Sequence, residues 1–121
     1  MKVKFLDLYS QYLSIKNEID KEINNILLNS SFIGGTKLTE FENNFANYNG
    51  VKNCVGVGNG TDALEIAIES LDLPDNSEIL VPANSFIASS EAVTRTNKKI
   101  VFVDIDPQTY LMDVKKIESK I

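Results

Sequence analysis

The first third of the chain carries apolar residues at the three- and four-residue spacing of amphipathic helices. The apolar faces of the two predicted helices are Tyr12, Ile15, Ile19, Ile23 and Ile26, and then Leu38, Phe41, Phe45 and Tyr48. The first helix is predicted over residues 10–29 and is followed by a break at a pair of glycines. Thr36 is the predicted cap of the second helix, which ends near Gly50 because glycine adopts the left-handed conformation of a helix C-terminus. Residues 1–50 are therefore predicted to be an N-terminal helical segment.

From residue 53 onward the hydrophobic pattern changes to short apolar runs that alternate with helical stretches. The predicted strands are residues 53–57, 78–81 and 99–103. The predicted helices are residues 61–71 and 85–96, and a third that begins over residues 112–121. This alternation predicts βαβ units, and therefore an α/β fold with helices on both faces of a mostly parallel sheet over residues 51–121. Because three strands make a small sheet and the last helix is still in progress at Ile121, we expect an incomplete domain.

Composition and charge narrow the possible partners. The 121 residues are 43% hydrophobic and 24% charged, as in an ordinary globular domain. The net charge of -5 and the absence of a basic run argue against nucleic acid or a membrane surface as the main partner. No apolar run is long enough to span a membrane and no leader-like segment is present, so we expect a cytoplasmic protein. The sequence has no histidine, which predicts no metal site and leaves carboxylates, hydroxyls, lysines or a bound cofactor for any chemistry.

A glycine-rich turn before the predicted helix at residues 61–71 is the strongest candidate for a binding site. Residues 56–64 read Gly-Val-Gly-Asn-Gly-Thr-Asp-Ala-Leu. Glycines let the backbone approach a ligand closely, and the first N–H groups of a helix attract anions. Thr61 adds a hydroxyl donor. The turn is therefore either a phosphate site, to which Asp62 contributes its backbone N–H, or a plain turn capped by Thr61 or Asp62.

The same glycines also fit the fingerprint of a dinucleotide site, G-x-G-x-x-A at residues 58–63. Such a site requires an acid about 20 residues further on, at the end of the second strand, to bind a ribose. That strand ends in Val-Pro-Ala-Asn at residues 81–84, without an acid. A nucleotide triphosphate loop of the G-x-x-x-x-G-K-[ST] type is also absent. The pattern therefore disfavours a dinucleotide.

Two other segments follow predicted strands. Pro82 ends the second strand, Ser85 is the predicted cap of the next helix, and Phe86 falls in the first turn of that helix. Spacing alone favours a core position for Phe86, with stacking on a flat cofactor as the alternative. Asp104 and Asp106 follow the third strand, where we expect roles in the strand end and a turn rather than metal binding.

Taken together, the motifs identify a resemblance. The chain resembles, along essentially its whole length, the N-terminal part of the DegT/DnrJ/StrS family of pyridoxal-phosphate-dependent sugar aminotransferases. Each motif is weak alone, but their order and spacing are specific. The motifs are Phe-Leu-Asp-Leu at residues 5–8 with Gln-Tyr at 11–12, Phe-Ile-Gly-Gly at 32–35, Phe-Glu to Gly-Val-Lys at 41–52, Gly-Asn-Gly-Thr-Asp-Ala-Leu at 58–64, Val-Pro to Ser-Phe-Ile-Ala at 81–88, and Val-Phe-Val-Asp-Ile-Asp-Pro to Thr-Tyr at 101–110.

The resemblance implies the large domain of an aspartate-aminotransferase-like fold (fold type I) that works as a homodimer. It implies that Thr61 and the backbone of Gly60 and Asp62 hold the phosphate of pyridoxal phosphate. It also implies that Phe86 stacks on the pyridine ring, in contrast to the core position that spacing favours. The implied substrates are a nucleotide-linked keto-sugar and an amino-acid donor, usually glutamate, in amino-sugar and polysaccharide biosynthesis.

No catalytic residue is predicted within the chain, because the Schiff-base lysine of the family lies beyond Ile121. The chain is therefore expected to be inactive alone. The lysines present lie on polar helix faces or, as with Lys98 and Lys99, at the amino end of a strand. Two alternatives stay open: a sugar dehydratase of the same family, in which histidine replaces the lysine, and a truncated, non-catalytic fragment.

Overall fold

The computed structural model describes residues 3–121, which divide into one compact unit that ends at Gly56 and a second unit, Val57–Ile121. The helices are α1 (Leu8–Leu28), α2 (Thr36–Asn49), α3 (Gly60–Glu69) and α4 (Ile87–Arg95), and the strands are β1 (Glu78–Pro82) and β2 (Lys99–Val103). The first unit is helical and the second is α/β. No helix within residues 3–121 combines the length and apolar character needed to cross a membrane.

Helix α1 begins at a side-chain cap. The carboxylate of Asp7 accepts the backbone N–H of Ser10 at 3.2 Å, which satisfies one of the free donors at the helix start. Lys4 lies 3.0 Å from the same carboxylate and is the main reason that the pKa of Asp7 is lowered. At the other end, the Asn29 side-chain amide donates to the carbonyl of Asn25 at 2.8 Å. The predicted helix over residues 10–29 is confirmed.

Helix α2 begins at Thr36, one residue earlier than a Thr36 cap requires. The residue before the helix is Gly35, with φ of 88°, and no side chain caps the helix start, so the prediction that Thr36 caps α2 is wrong. Gly50 ends the helix in the left-handed conformation, with φ of 65°, as predicted. Lys37 Nζ lies 3.1 Å from Glu22 Oε2, which links the start of α2 to α1.

Residues 53–57 form no strand, so the prediction of a strand there is wrong. The backbone N–H of Gly56 donates to Glu42 Oε1 at 2.8 Å instead of to a neighbouring strand. A Cβ on Gly56 would lie 2.6 Å from Leu38 Cδ1, so the absence of a side chain lets this segment approach α2 closely. An apolar run forms a strand only where a partner strand accepts and donates its hydrogen bonds.

The second unit contains a parallel pair of strands covered by helices. Glu78 of β1 lies opposite Lys99 of β2, and Pro82 lies opposite Val103. Helices α3 and α4 pack against each other, and α4 packs against both strands. The fully or almost fully buried apolar side chains of this unit are Val81, Ala92, Val93 and Val103. Two of the three predicted strands are therefore confirmed, and the α/β class is confirmed with them.

The segment after β2 differs from its prediction. Residues 112–121 form two short 3₁₀ helices, Val114–Lys116 and Glu118–Lys120, instead of the start of an α-helix. Ile105 and Met112 form an isolated antiparallel bridge, and the N–H of Asp113 donates to the carbonyl of Asp104 at 2.9 Å. These bonds hold Met112 and Asp113 against the strand end, which prevents them from entering a helix.

Candidate functional site

The glycine-rich turn leads into α3 through a cap that the sequence analysis missed. Asn59 is the N-cap, with an extended backbone, and its Oδ1 accepts the backbone N–H of Asp62 at 2.9 Å. Asn59 Nδ2 in turn donates to Asp62 Oδ2 at 3.0 Å. Neither Thr61 nor Asp62 is the cap, contrary to the simple-turn interpretation. The signal was available, since Asn is among the preferred N-cap residues and stands three positions before the acid.

Gly58 and Gly60 of the turn have different environments. A Cβ on Gly58 would lie 2.7 Å from Asp62 Oδ2, so a side chain there would displace the carboxylate. A Cβ on Gly60 would meet nothing within 4 Å. Neither glycine has the left-handed backbone that excludes other residues. A side chain at Gly58 would therefore force the Asp62 carboxylate to move, whereas Gly60 borders an open region at the start of α3.

Three hydrogen-bond donors lie at the start of α3. Within the part of the chain that the structure describes, no protein acceptor is bonded to the N–H of Gly60, the N–H of Thr61 or the Thr61 hydroxyl. The side chain of Thr61 is half-buried. The N–H of Asp62, by contrast, is already satisfied by Asn59. Two backbone donors and one hydroxyl at a helix N-terminus fit the phosphate group of pyridoxal phosphate.

Arg95 does not provide a free cation at the start of α3. Arg95, in the last turn of α4, lies 3.3 Å from Glu65 Oε2 of α3 and 3.4 Å from Glu91 Oε1. These carboxylates, Glu65 first, raise the pKa of Arg95, and Asp62 contributes at longer range. The guanidinium therefore serves mainly to join α3 to α4.

Phe86 lies directly before α4 rather than in its first turn. It is the N-cap residue, so the prediction that Ser85 caps this helix is wrong; the Ser85 hydroxyl lies 2.7 Å from the Ser89 hydroxyl. The Phe86 side chain is 78% exposed, which contradicts the core position that spacing favoured. No hydrogen bond or ion pair within residues 3–121 joins Phe86 to Gly60, Thr61 or Asp62, although their helices pack together. The ring is free to contact a ligand.

The two acids after β2 have structural partners, as predicted. Asp104 accepts the N–H of Ile105 at 2.9 Å and pairs with Lys116 Nζ at 2.7 Å, and Lys116 is the main cause of its lowered pKa. Asp106 accepts the N–H groups of Gln108 and Thr109 at 2.7 and 3.1 Å and so closes the turn. Among the described residues, no three His, Cys, Asp or Glu side chains are grouped to hold a metal ion.

Solved structures establish the class of protein. DesV from S. venezuelae, in complex with a ketimine intermediate, superposes with a TM-score of 0.94 at 33% identity over 99% of this chain and 32% of its own. NtdA from Bacillus subtilis, with bound cofactor PMP, superposes with a TM-score of 0.89 at 32% identity over 99% of this chain and 28% of its own. An E. coli GDP-4-keto-6-deoxy-D-mannose-3-dehydratase, with bound hydrated PLP, superposes with a TM-score of 0.75 at 28% identity. The match covers 84% of this chain and 28% of the dehydratase chain. The fold is that of the fold type I aminotransferases that use pyridoxal phosphate.

Sequence comparison then identifies the family. Residues 13–121 match the DegT/DnrJ/EryC1/StrS aminotransferase family, and the chain belongs to it. A UDP-2-acetamido-2-deoxy-3-oxo-D-glucuronate aminotransferase from Pseudomonas aeruginosa is 37% identical over 98% of the chain and 33% of its own length. A dTDP-3-amino-3,6-dideoxy-alpha-D-galactopyranose transaminase from Aneurinibacillus thermoaerophilus is 39% identical over 98% of the chain and 33% of its own length. The chain thus spans about a third of the length of these relatives.

Proposed function

We propose that this chain is the N-terminal part of an enzyme that transfers an amino group from an amino acid to a nucleotide-linked keto-sugar with pyridoxal phosphate. Glutamate is the proposed donor, and amino-sugar or polysaccharide biosynthesis is the proposed context. The observation that carries the proposal is the set of free donors at Gly60 and Thr61 in a chain of this family. Relatives named as sugar-nucleotide aminotransferases support the substrate class.

The chain's own contribution is to hold the cofactor rather than to react. The N–H groups of Gly60 and Thr61, with the Thr61 hydroxyl, bind the phosphate at the positive end of the α3 dipole. The backbone of Asp62 was the third expected contact, and its N–H becomes available only if Asn59 releases it. Phe86, exposed before α4, covers one face of the pyridine ring. When bound, pyridoxal phosphate supplies an electron sink for charge on the carbon that bears nitrogen.

The remaining parts of the proposal concern the whole enzyme. The N-terminal helical segment is proposed to be residues 1–50, and the start of the cofactor-binding domain is proposed to be residues 51–121. The Schiff-base lysine, which reacts with the cofactor and moves the proton at the substrate carbon, is proposed to come from downstream sequence. The whole enzyme is proposed to be a cytoplasmic homodimer. Without the lysine, this chain should bind the cofactor weakly and carry out no transfer.

A spectroscopic experiment tests the proposal. Pyridoxal phosphate is added to the 121-residue chain and to a full-length version, and absorbance is scanned before and after borohydride. Only the full-length version should give a saturable band that borohydride abolishes. In that version, Thr61→Val should weaken cofactor binding about tenfold or more, because it removes a hydrogen bond to a charged group. Thr39→Val is the matched control, since within residues 3–121 the Thr39 hydroxyl bonds only to the carbonyl of Gly35, just before α2.

The results that contradict the proposal are equally specific. If the full-length version gives no saturable band, the cofactor assignment is wrong. If Thr61→Val and Thr39→Val weaken cofactor binding equally, the start of α3 is not the phosphate site. A band that appears in the 121-residue chain and resists both substitutions would indicate non-specific reaction with surface lysines.

A second candidate function is a sugar dehydratase of the same family. The observation that favours it is the similarity to the E. coli GDP-4-keto-6-deoxy-D-mannose-3-dehydratase. The two functions predict different residues at the downstream position, lysine for the aminotransferase and histidine for the dehydratase. Reading that position, followed by a test for glutamate-dependent amination against loss of a sugar hydroxyl, separates them. A full-length version that binds the cofactor but catalyses neither reaction would support the non-catalytic alternative.

A further inference from the structure

The Asp62 carboxylate is held in place on two sides. Its Oδ2 accepts Asn59 Nδ2 at 3.0 Å, while Asn59 Oδ1 accepts the N–H of Asp62 at 2.9 Å. These two hydrogen bonds join the same pair of residues, and we refer to them as the Asn59–Asp62 clasp. The carboxylate also lies directly over Gly58, where a Cβ would come within 2.7 Å of Oδ2. The clasp therefore depends on Gly58 having no side chain.

The charge of Asp62 is unfavourable for a phosphate site. A carboxylate in the first turn of α3 repels a phosphate dianion and offsets part of the attraction of the helix dipole. If charge were its only effect, replacing Asp62 by any neutral residue would strengthen phosphate binding. The carboxylate is therefore expected to provide something that outweighs this repulsion.

The clasp identifies what the carboxylate provides. An Asn side chain can present either its oxygen or its NH₂ group to a neighbour. Because the Asp62 carboxylate accepts only, it bonds to the NH₂ group of Asn59 and turns the Asn59 oxygen toward the N–H of Asp62. This orientation caps the third residue of α3 and leaves the first two N–H groups, those of Gly60 and Thr61, free.

Resting on the proposed function, we infer that Asp62 is a positioning residue for the cofactor phosphate and not one of its ligands. The clasp fixes the first turn of α3 so that Gly60 and Thr61 donate to the phosphate while the N–H of Asp62 stays bonded to Asn59. Gly58 is part of this arrangement because it makes room for the carboxylate. The inference separates the geometric role of Asp62 from its charge.

Two substitutions in the full-length protein separate these roles. Asp62→Asn removes the charge but keeps an oxygen that can accept a hydrogen bond from Asn59 Nδ2. The dissociation constant of this variant for pyridoxal phosphate should therefore equal that of the wild type or be lower. Asp62→Ala removes both, and its dissociation constant should rise about three- to tenfold, the range of one lost hydrogen bond. Gly58→Ala keeps every donor but displaces the carboxylate, and it should resemble Asp62→Ala. If Asp62→Ala binds as tightly as the wild type or more tightly, or if Asp62→Asn is weakened as much as Asp62→Ala, the inference is overturned.

A measurement without cofactor keeps the inference testable if the cofactor assignment fails. In the cofactor-free full-length protein, the Tm losses of Asn59→Ala and Asp62→Ala should not add, because each substitution alone breaks the same clasp. The double variant should lose little more than the larger single loss. Additive losses would show that the clasp does not form. Absence of saturable cofactor binding in every variant, together with non-additive losses, would instead overturn the proposed function and leave the clasp supported.

Discussion

Glu42 holds the backbone just before the glycine-rich turn, through a bond that spans fourteen residues. Its Oε1 accepts the N–H of Gly56 at 2.8 Å, and both residues are half-buried. A hydrogen bond to a charged group contributes about 1.5–3 kcal/mol when well shielded, and partial exposure lowers that to about 1–2 kcal/mol here. Glu42→Ala should therefore weaken the local stability of the Gly56 backbone by about 1–2 kcal/mol. Glu42→Gln keeps an oxygen acceptor and should cost less than about 1 kcal/mol.

Amide hydrogen exchange at Gly56 measures this local stability directly. A loss of about 1–2 kcal/mol corresponds to roughly 5- to 30-fold faster exchange. Glu18→Ala is the matched control, because Glu18 is exposed on α1 and has no ion pair or side-chain hydrogen bond within residues 3–121. The reasoning is refuted if Gly56 exchanges in Glu42→Ala as slowly as in Glu18→Ala. Equal acceleration in Glu42→Ala and Glu42→Gln would show that charge, and not the hydrogen bond, holds the segment.

Three further predictions follow from the same structure. Asn59→Ala should cost about 1 kcal/mol through loss of the α3 cap, seen as a lower denaturant midpoint at an unchanged slope. Phe86→Ala should change the free energy of unfolding by less than about 0.5 kcal/mol, because the ring is 78% exposed. The same substitution should raise the dissociation constant for pyridoxal phosphate about two- to tenfold. A stability loss of about 3–5 kcal/mol would instead place the ring in a core. The two backbone N–H groups bonded to Asp106 lower its pKa below the ordinary 3.8, so its contribution to stability is present above pH about 4 and is lost as pH falls through the lower folded value. Asp106→Asn should remove that part of the acid dependence, which a pH series of thermal unfolding with and without the substitution would measure.

The long helices could be predicted from sequence because their signals are local. The apolar spacing of α1 and α2 and the left-handed Gly50 lie within the elements they define, and the structure places both helices within two residues of the prediction. Errors at the starts of α2, α3 and α4 have one cause. Several residues near each start could serve as the cap, and only the backbone angles decide which of them does.

The predicted strand at residues 53–57 and the predicted helix at residues 112–121 were wrong because the hydrogen bonds of these segments depend on distant residues. At residues 53–57 the apolar run was correctly recognised, but a run of this kind becomes a strand only beside a partner, and the N–H of Gly56 bonds to a carboxylate of α2. At residues 112–121 the helical spacing is present, but the bridge from Ile105 to Met112 holds the first residues in an extended conformation. Neither partner can be identified from a window of neighbouring sequence.

The candidate site shows the same division between local and non-local information. Gly60, Thr61 and Asp62 are consecutive in the sequence, and the family resemblance assigned all three to the same phosphate. The structure separates them, since the N–H of Asp62 bonds to Asn59 whereas those of Gly60 and Thr61 remain free. The orientation of the Asn59 amide decides which backbone donors a ligand can use. That orientation depends on the carboxylate of Asp62, three residues away, which occupies the space that a side chain on Gly58 would fill. A motif can therefore identify the residues of such a turn. Which of them donate to a ligand, and which stay bonded within the protein, follows from the hydrogen bonds of the turn.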